Sequence, residues 1–110
     1  MKSFTDVSQS KKLAEFLPIE SADMGWYYSR SPQAARNQMW AGTKADNADI
    51  PCWSLAALLS VLPKSALFTP NPFDDGYCCK NLENDIEVHD SNPIDACYEM
   101  IIKLKENNLL

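Results

Sequence analysis

Glycine is scarce in this chain of 110 residues: there are three, and none stands in a pattern that could cradle a phosphate. Histidine is scarcer still, with His89 alone. One histidine and scattered cysteines give no linear metal-ligand spacing, and no metal or cofactor set is expected. Basic charge is missing where nucleic acid would need it. From residue 74 to 99 eight acids (Asp74, Asp75, Glu83, Asp85, Glu87, Asp90, Asp95, Glu99) stand against Lys80 alone, within a net charge of −5. Neutralising phosphates takes Lys and Arg, which argues against nucleic acid and against an anionic membrane surface. No apolar run approaches the ~20 residues that span a bilayer. The first twelve residues lack the apolar centre of a signal peptide, so a cytoplasmic location is expected.

What the chain does have is an ordinary globular balance, 45% hydrophobic and 23% charged residues. That fits one domain over residues 1–110, able to bury about 65% of its unfolded surface. Residues 50–64 are its least charged run. There Leu55, Leu58, Leu59 and Leu62 recur at helical spacing, Ser54 stands at the N-cap, and Pro63 stops the ladder. A helix this short and apolar is stable only when covered, so the leucines are expected to lie beneath a sheet and the C-terminal helix.

Around it the spacing predicts a helix over residues 5–17, capped by Ser3 or Thr5 and ended by Pro18, then a polar connection. Residues 24–29 read as a strand with Trp26 and Tyr28 on one face, interrupted by Ser31 and Pro32. Residues 33–47 admit a short helix or a strand near Gln38, Met39 and Trp40, with the strand preferred and a loop over 42–49. Ala66, Leu67 and Phe68 suggest a strand that ends at the turn-rich residues 69–72. Residues 77–80 and 86–89, separated by five polar, turn-prone residues, read as a β-hairpin. Ile86 and Val88 would face the core there, and Glu87 and His89 water. Asn92, Pro93 and Asp95 announce a last helix, with Ile94, Cys97, Tyr98, Ile101 and Leu104 as its buried stripe. The order predicts an α+β fold: a small, mainly antiparallel sheet of three to five strands with three helices packed mostly on one face.

No catalytic grouping stands out. Cys78 and Cys79 are neighbours, and adjacent strand residues point to opposite faces. All four cysteines sit in apolar or aromatic surroundings, as reduced core thiols do. A thiol paired with His89 would meet carboxylates that raise its pKa, the reverse of an activated nucleophile. Residues 81, 83 and 85 mimic a calcium loop, but the turn glycine and the closing Glu are missing. The aromatics offer more. Trp26, Tyr27, Tyr28 and Trp40 form a candidate protein-contact surface, because a strand with three successive aromatics must expose at least one.

The segment from Ala22 to Tyr27, the stretch PCWSL-x-ALL-x-x-LPK from Pro51 to Lys64 and the ending NPIDACYEMIIKLKENNLL resemble a family of small uncharacterised proteins. These are encoded in prophage-like or mobile regions of gut anaerobic bacteria. Ser10 to Leu13 and Asp75 to Tyr77 fit the same pattern, while residues 33–48 depart from it. The resemblance implies an α+β fold and a phage or mobile-element setting, and brings no activity, ligand or site residue. The leading expectation is a non-enzymatic accessory protein that binds another protein. The rivals are a small-molecule enzyme using Cys78 or Cys79 with His89, and an acidic nucleic-acid mimic that blocks a host DNA-binding protein.

Overall fold

Asp6 caps the first helix, α1 (Val7–Ala14), through a reciprocal pair of bonds. Its carboxylate accepts from Gln9 N at 2.7 Å, and the Gln9 side chain accepts from Asp6 N at 3.1 Å. The structure, a computed structural model, describes residues 2–28, 39–43, 47–71 and 75–110. Neither Thr5 nor Ser3 is the cap. Thr5 instead turns inward and is fully buried beside Ser10, their hydroxyls 2.7 Å apart. The helix also stops short of residue 17. Glu15 and Phe16 donate three residues back, a tightened last turn before Pro18, and a single 3₁₀ turn, Ile19–Ser21, follows.

Among the described residues two antiparallel sheets of three strands make the rest of the framework, where a single sheet of three to five strands is the simplest expectation. In the first, β1 (Met24–Tyr28) lies between β2 (Met39–Gly42) and β3 (Ile50–Cys52). The interruption at residues 31 and 32, the 33–38 part of the helix-or-strand segment and residues 44–46 and 72 lie outside the described residues. The apolar run thus begins as strand and becomes helix only at Ser54, where α2 (Leu55–Val61) starts. In the second sheet β5 (Tyr77–Asn81) lies between β4 (Ala66–Pro70) and β6 (Ile86–Asp90). Strand β4 runs past its expected end, with Thr69 opposite Cys78 and Pro70 opposite Tyr77. An edge strand accepts a proline because its outward N–H has no ladder bond to lose.

The third helix, α3 (Pro93–Glu106), carries the core. The Asn92 side chain accepts from Ile94 N and Asp95 N, Pro93 opens the first turn, and Asn108 takes the left-handed conformation just past the end (φ 57°). Its buried stripe adds Pro93, Ala96 and Met100 to the expected residues, because two layers cover it, and leaves Tyr98 half-buried at its edge. Ile94, Cys97 and Ile101 pack with Leu13 of α1, Trp53 and Ala57 and Leu58 of α2. Met100 and Leu104 pack against Cys79 and Val88 of the second sheet. The short helix lies chiefly against α3 and the 3₁₀ turn, and of its four leucines only Leu62, at its C-terminal end, also packs into the group that α3 forms with Cys79 and Val88 of the second sheet. It buries Ala57 and Leu58, half-buries Leu55 and Leu62, and leaves Leu59 exposed. The residue at the centre is Trp53, fully buried, with its indole N–H donating to Ser21 Oγ at 3.0 Å.

Long-range polar contacts hold these layers in place. Asp95 Oδ1 accepts from Lys2 Nζ at 2.6 Å and from Gln9 Nε2 at 2.7 Å, tying the chain start and α1 to α3. The Asp23 carboxylate accepts from both the backbone N–H and the hydroxyl of Ser54, steadying the cap of α2 from another element. No helix among the described residues is long and apolar enough to cross a membrane.

Candidate functional site

The register of the first sheet divides the four aromatics between its two faces. Tyr27 stands opposite Trp40, and Tyr28 opposite Met39. Alternation then places Trp26 and Tyr28 on one face and Tyr27 and Trp40 on the other. The Trp26 face is the one covered by the chain start. Its indole N–H donates to Thr5 O at 3.1 Å, and Phe4 meets the ring edge-on at 5.6 Å between centroids. Trp26 is thereby a half-buried structural residue. Tyr28 lies further out on this face, where it lines a shallow groove with Trp26, Met39, Val7 and Lys11.

On the opposite face Tyr27 and Trp40 stack, with ring centroids 4.7 Å apart and planes inclined by 22°. Trp40 remains 54% exposed. A tryptophan that open on an edge strand is unusual, since burying it removes a large apolar area from water. Gly42 makes the stack possible. A Cβ at that position would lie 2.8 Å from Trp40 Cζ3 and 3.1 Å from Tyr27 Cε2, inside the space the two rings occupy.

The second sheet holds a constellation that linear spacing hides. Cys78 is opposite His89, and Glu87 lies two residues before His89 on the same face. Glu87 Oε1 is 2.9 Å from His89 Nε2 and accepts from Cys78 Sγ at 3.4 Å. Glu87 and His89 are exposed and Cys78 is half-buried. Burial, then the Glu87 carboxylate, raises the Cys78 thiol above its ordinary value. The Cys78 bond, and less strongly His89, holds Glu87 below the usual carboxylate range. Cys79, the neighbour of Cys78, points the other way and is fully buried, its thiol pushed up to about 11 by burial. The thiols of Cys52 and Cys97 are buried as well. A protonated thiol beside a carboxylate is a poor nucleophile. The cluster's three atoms suit shared binding of a cation better than attack on a substrate.

Pairing the expected runs 77–80 and 86–89 end to end would set position 78 opposite 88 and put Cys78 on the core-facing side. The structure carries β5 on to Asn81, opposite Ile86, and this shift of one residue brings Cys78 opposite His89. The hairpin was readable from the sequence, and the register that assembles the cluster was not. No family model, curated protein or solved structure matches the chain.

Proposed function

We propose that this chain is a non-enzymatic accessory protein that binds another protein, in the phage or mobile-element setting its resemblance implies. The observation that carries the reading is the exposed Trp40 stacked on Tyr27. Binding energy in protein interfaces concentrates in a few Trp, Tyr and Arg anchors. A stacked pair meets a partner with little side-chain entropy left to lose. The chain's charge of −5 selects the kind of partner: a protein with an apolar pocket ringed by Lys or Arg. The raised Cys78 thiol weighs against the enzyme reading.

Capture from host cells with wild type and Trp40→Ala, followed by reconstitution with the purified partner, tests the reading. Wild type should co-elute with one discrete protein in size exclusion, and Trp40→Ala should bind it about 30-fold more weakly or worse. Absence of a stable partner in every fraction, or equal binding by the variant, contradicts it. So does a Trp40-dependent dimer of this chain alone.

A further inference from the structure

We propose that Cys78, Glu87 and His89 form a binding site for a zinc-type divalent cation on the outer face of the β5–β6 hairpin. The three ligand atoms, Sγ, a carboxylate oxygen and a ring nitrogen, all lie within 4.8 Å of one another. A tetrahedral zinc ion with bonds of about 2.3 Å to sulfur and about 2.0 Å to nitrogen and oxygen spaces its ligands about 3.3–3.6 Å apart. The sulfur–oxygen separation, 3.4 Å, already fits. The oxygen–nitrogen pair, at 2.9 Å, has to open by about 0.4 Å to meet that spacing. The sulfur–nitrogen pair, within 4.8 Å, has to settle at about 3.5 Å, and rotation of the exposed Glu87 and His89 side chains supplies both adjustments.

The backbone supplies the preorganisation. Cys78 and His89 are a register pair, and Glu87 is the diagonal neighbour of Cys78 on the same face, so regular strand geometry alone converges the three groups. The ligand chemistry selects the metal. A thiolate, an imidazole and a carboxylate form a borderline-soft set, which suits zinc over calcium or magnesium. The thiolate and carboxylate together balance a charge of two. Three protein ligands leave a fourth position for water or for a group on another molecule, as in open zinc sites. The neighbouring Lys80, opposite Glu87, is the one cation competing for this charge among the described residues of the two strands. The site lies on a different sheet from the Tyr27–Trp40 stack, so it stands or falls separately from the proposed function.

Cobalt(II) titration of the purified chain under a phosphine reductant, with zinc(II) added in competition, tests the proposal. The expected result is one ion per chain and a thiolate-to-cobalt charge-transfer band that zinc abolishes. Even second-shell changes cost metal sites about 10–100-fold, so Cys78→Ser, Glu87→Gln and His89→Ala should each weaken zinc by at least about tenfold. Cys78→Ser should also remove the band. All three positions face outward, and circular dichroism confirms that the variants fold. Lys80→Gln should bind zinc as tightly as wild type or more tightly. Lack of a charge-transfer band at millimolar cobalt, or a band and a zinc affinity unchanged in Cys78→Ser, overturns the site.

Discussion

Thr5 and Trp53 exchange two hydrogen bonds: Thr5 N donates to Trp53 O at 2.9 Å, and Trp53 N donates to Thr5 Oγ1 at 3.1 Å. This bracket joins the chain start to the junction between β3 and α2 and seals the core residue Trp53 in place. Thr5→Val keeps the shape but leaves Trp53 N–H without a partner, and an unsatisfied buried donor costs about 1–3 kcal/mol. Thr5→Ser, which keeps the acceptor, should lose less than about 1 kcal/mol, chiefly through the missing methyl. Urea denaturation measures both. A valine variant as stable as wild type would remove the bracket from the list of stabilising contacts.

The local parts of this fold were legible and the non-local ones were not. The α2 cap at Ser54, the start of α3 at Asn92 and Pro93 and the β5–β6 hairpin each depend on residues within a few positions, where side-chain chemistry acts directly. The capping role of Asp23, the tie from Lys2 and Gln9 to Asp95, and the burial of Met100 all depend on which elements meet. Leu59 shows the same limit from the other side. Helical spacing groups it with Leu58, but α2 has neighbours on too few sides to cover it, and it is 40% exposed. Of the candidate contact surface, the residue types were readable, while the split that half-buries Trp26 and bares Trp40 follows from a register set between distant strands.

Asp85 holds a left-handed conformation, φ 56°, in the β5–β6 connection. Asp tolerates this region better than most residues, and a β-branched side chain tolerates it badly. Asp85→Val should cost about 1–3 kcal/mol, whereas Asp85→Gly should change stability by less than about 1 kcal/mol, relief of strain offsetting lost chain stiffness. Thermal unfolding of the two variants decides. Equal losses would mean that the turn does not require the left-handed residue.

Burial pushes the Cys97 thiol up to about 12 and the Cys79 thiol up to about 11, from an ordinary 9.0. Burial raises the Tyr98 hydroxyl too. A raised acid pKa means the folded chain keeps a proton that the unfolded chain releases. The stability these groups contribute is complete below about pH 9 and falls as the pH climbs through the window toward about 12. Denaturant midpoints measured across pH 8–11 should fall more steeply in wild type than in Cys97→Ala. Parallel curves would contradict the assignment.

Among the four cysteines only Cys78 lies short of full burial. Iodoacetamide at pH 8 should therefore modify Cys78 first and the other three only on unfolding, with Cys78 itself slowed by Glu87. Glu87→Gln should speed that labelling, because it removes a charge that disfavours the thiolate. Mass spectrometry of digested protein reads the order. Rapid labelling of Cys97 in the native state would show that α3 does not pack as described.

The most direct test of the proposed contact surface places a photo-crosslinking amino acid at position 40 and, as a control, at exposed Leu82 in the β5–β6 connection. Irradiation in host cells should yield one discrete adduct from position 40, with the crosslink mapping beside Lys or Arg on a different protein, and little from position 82. Adducts in equal amount from both positions, or from neither, would contradict a partner docked on Trp40 and Tyr27.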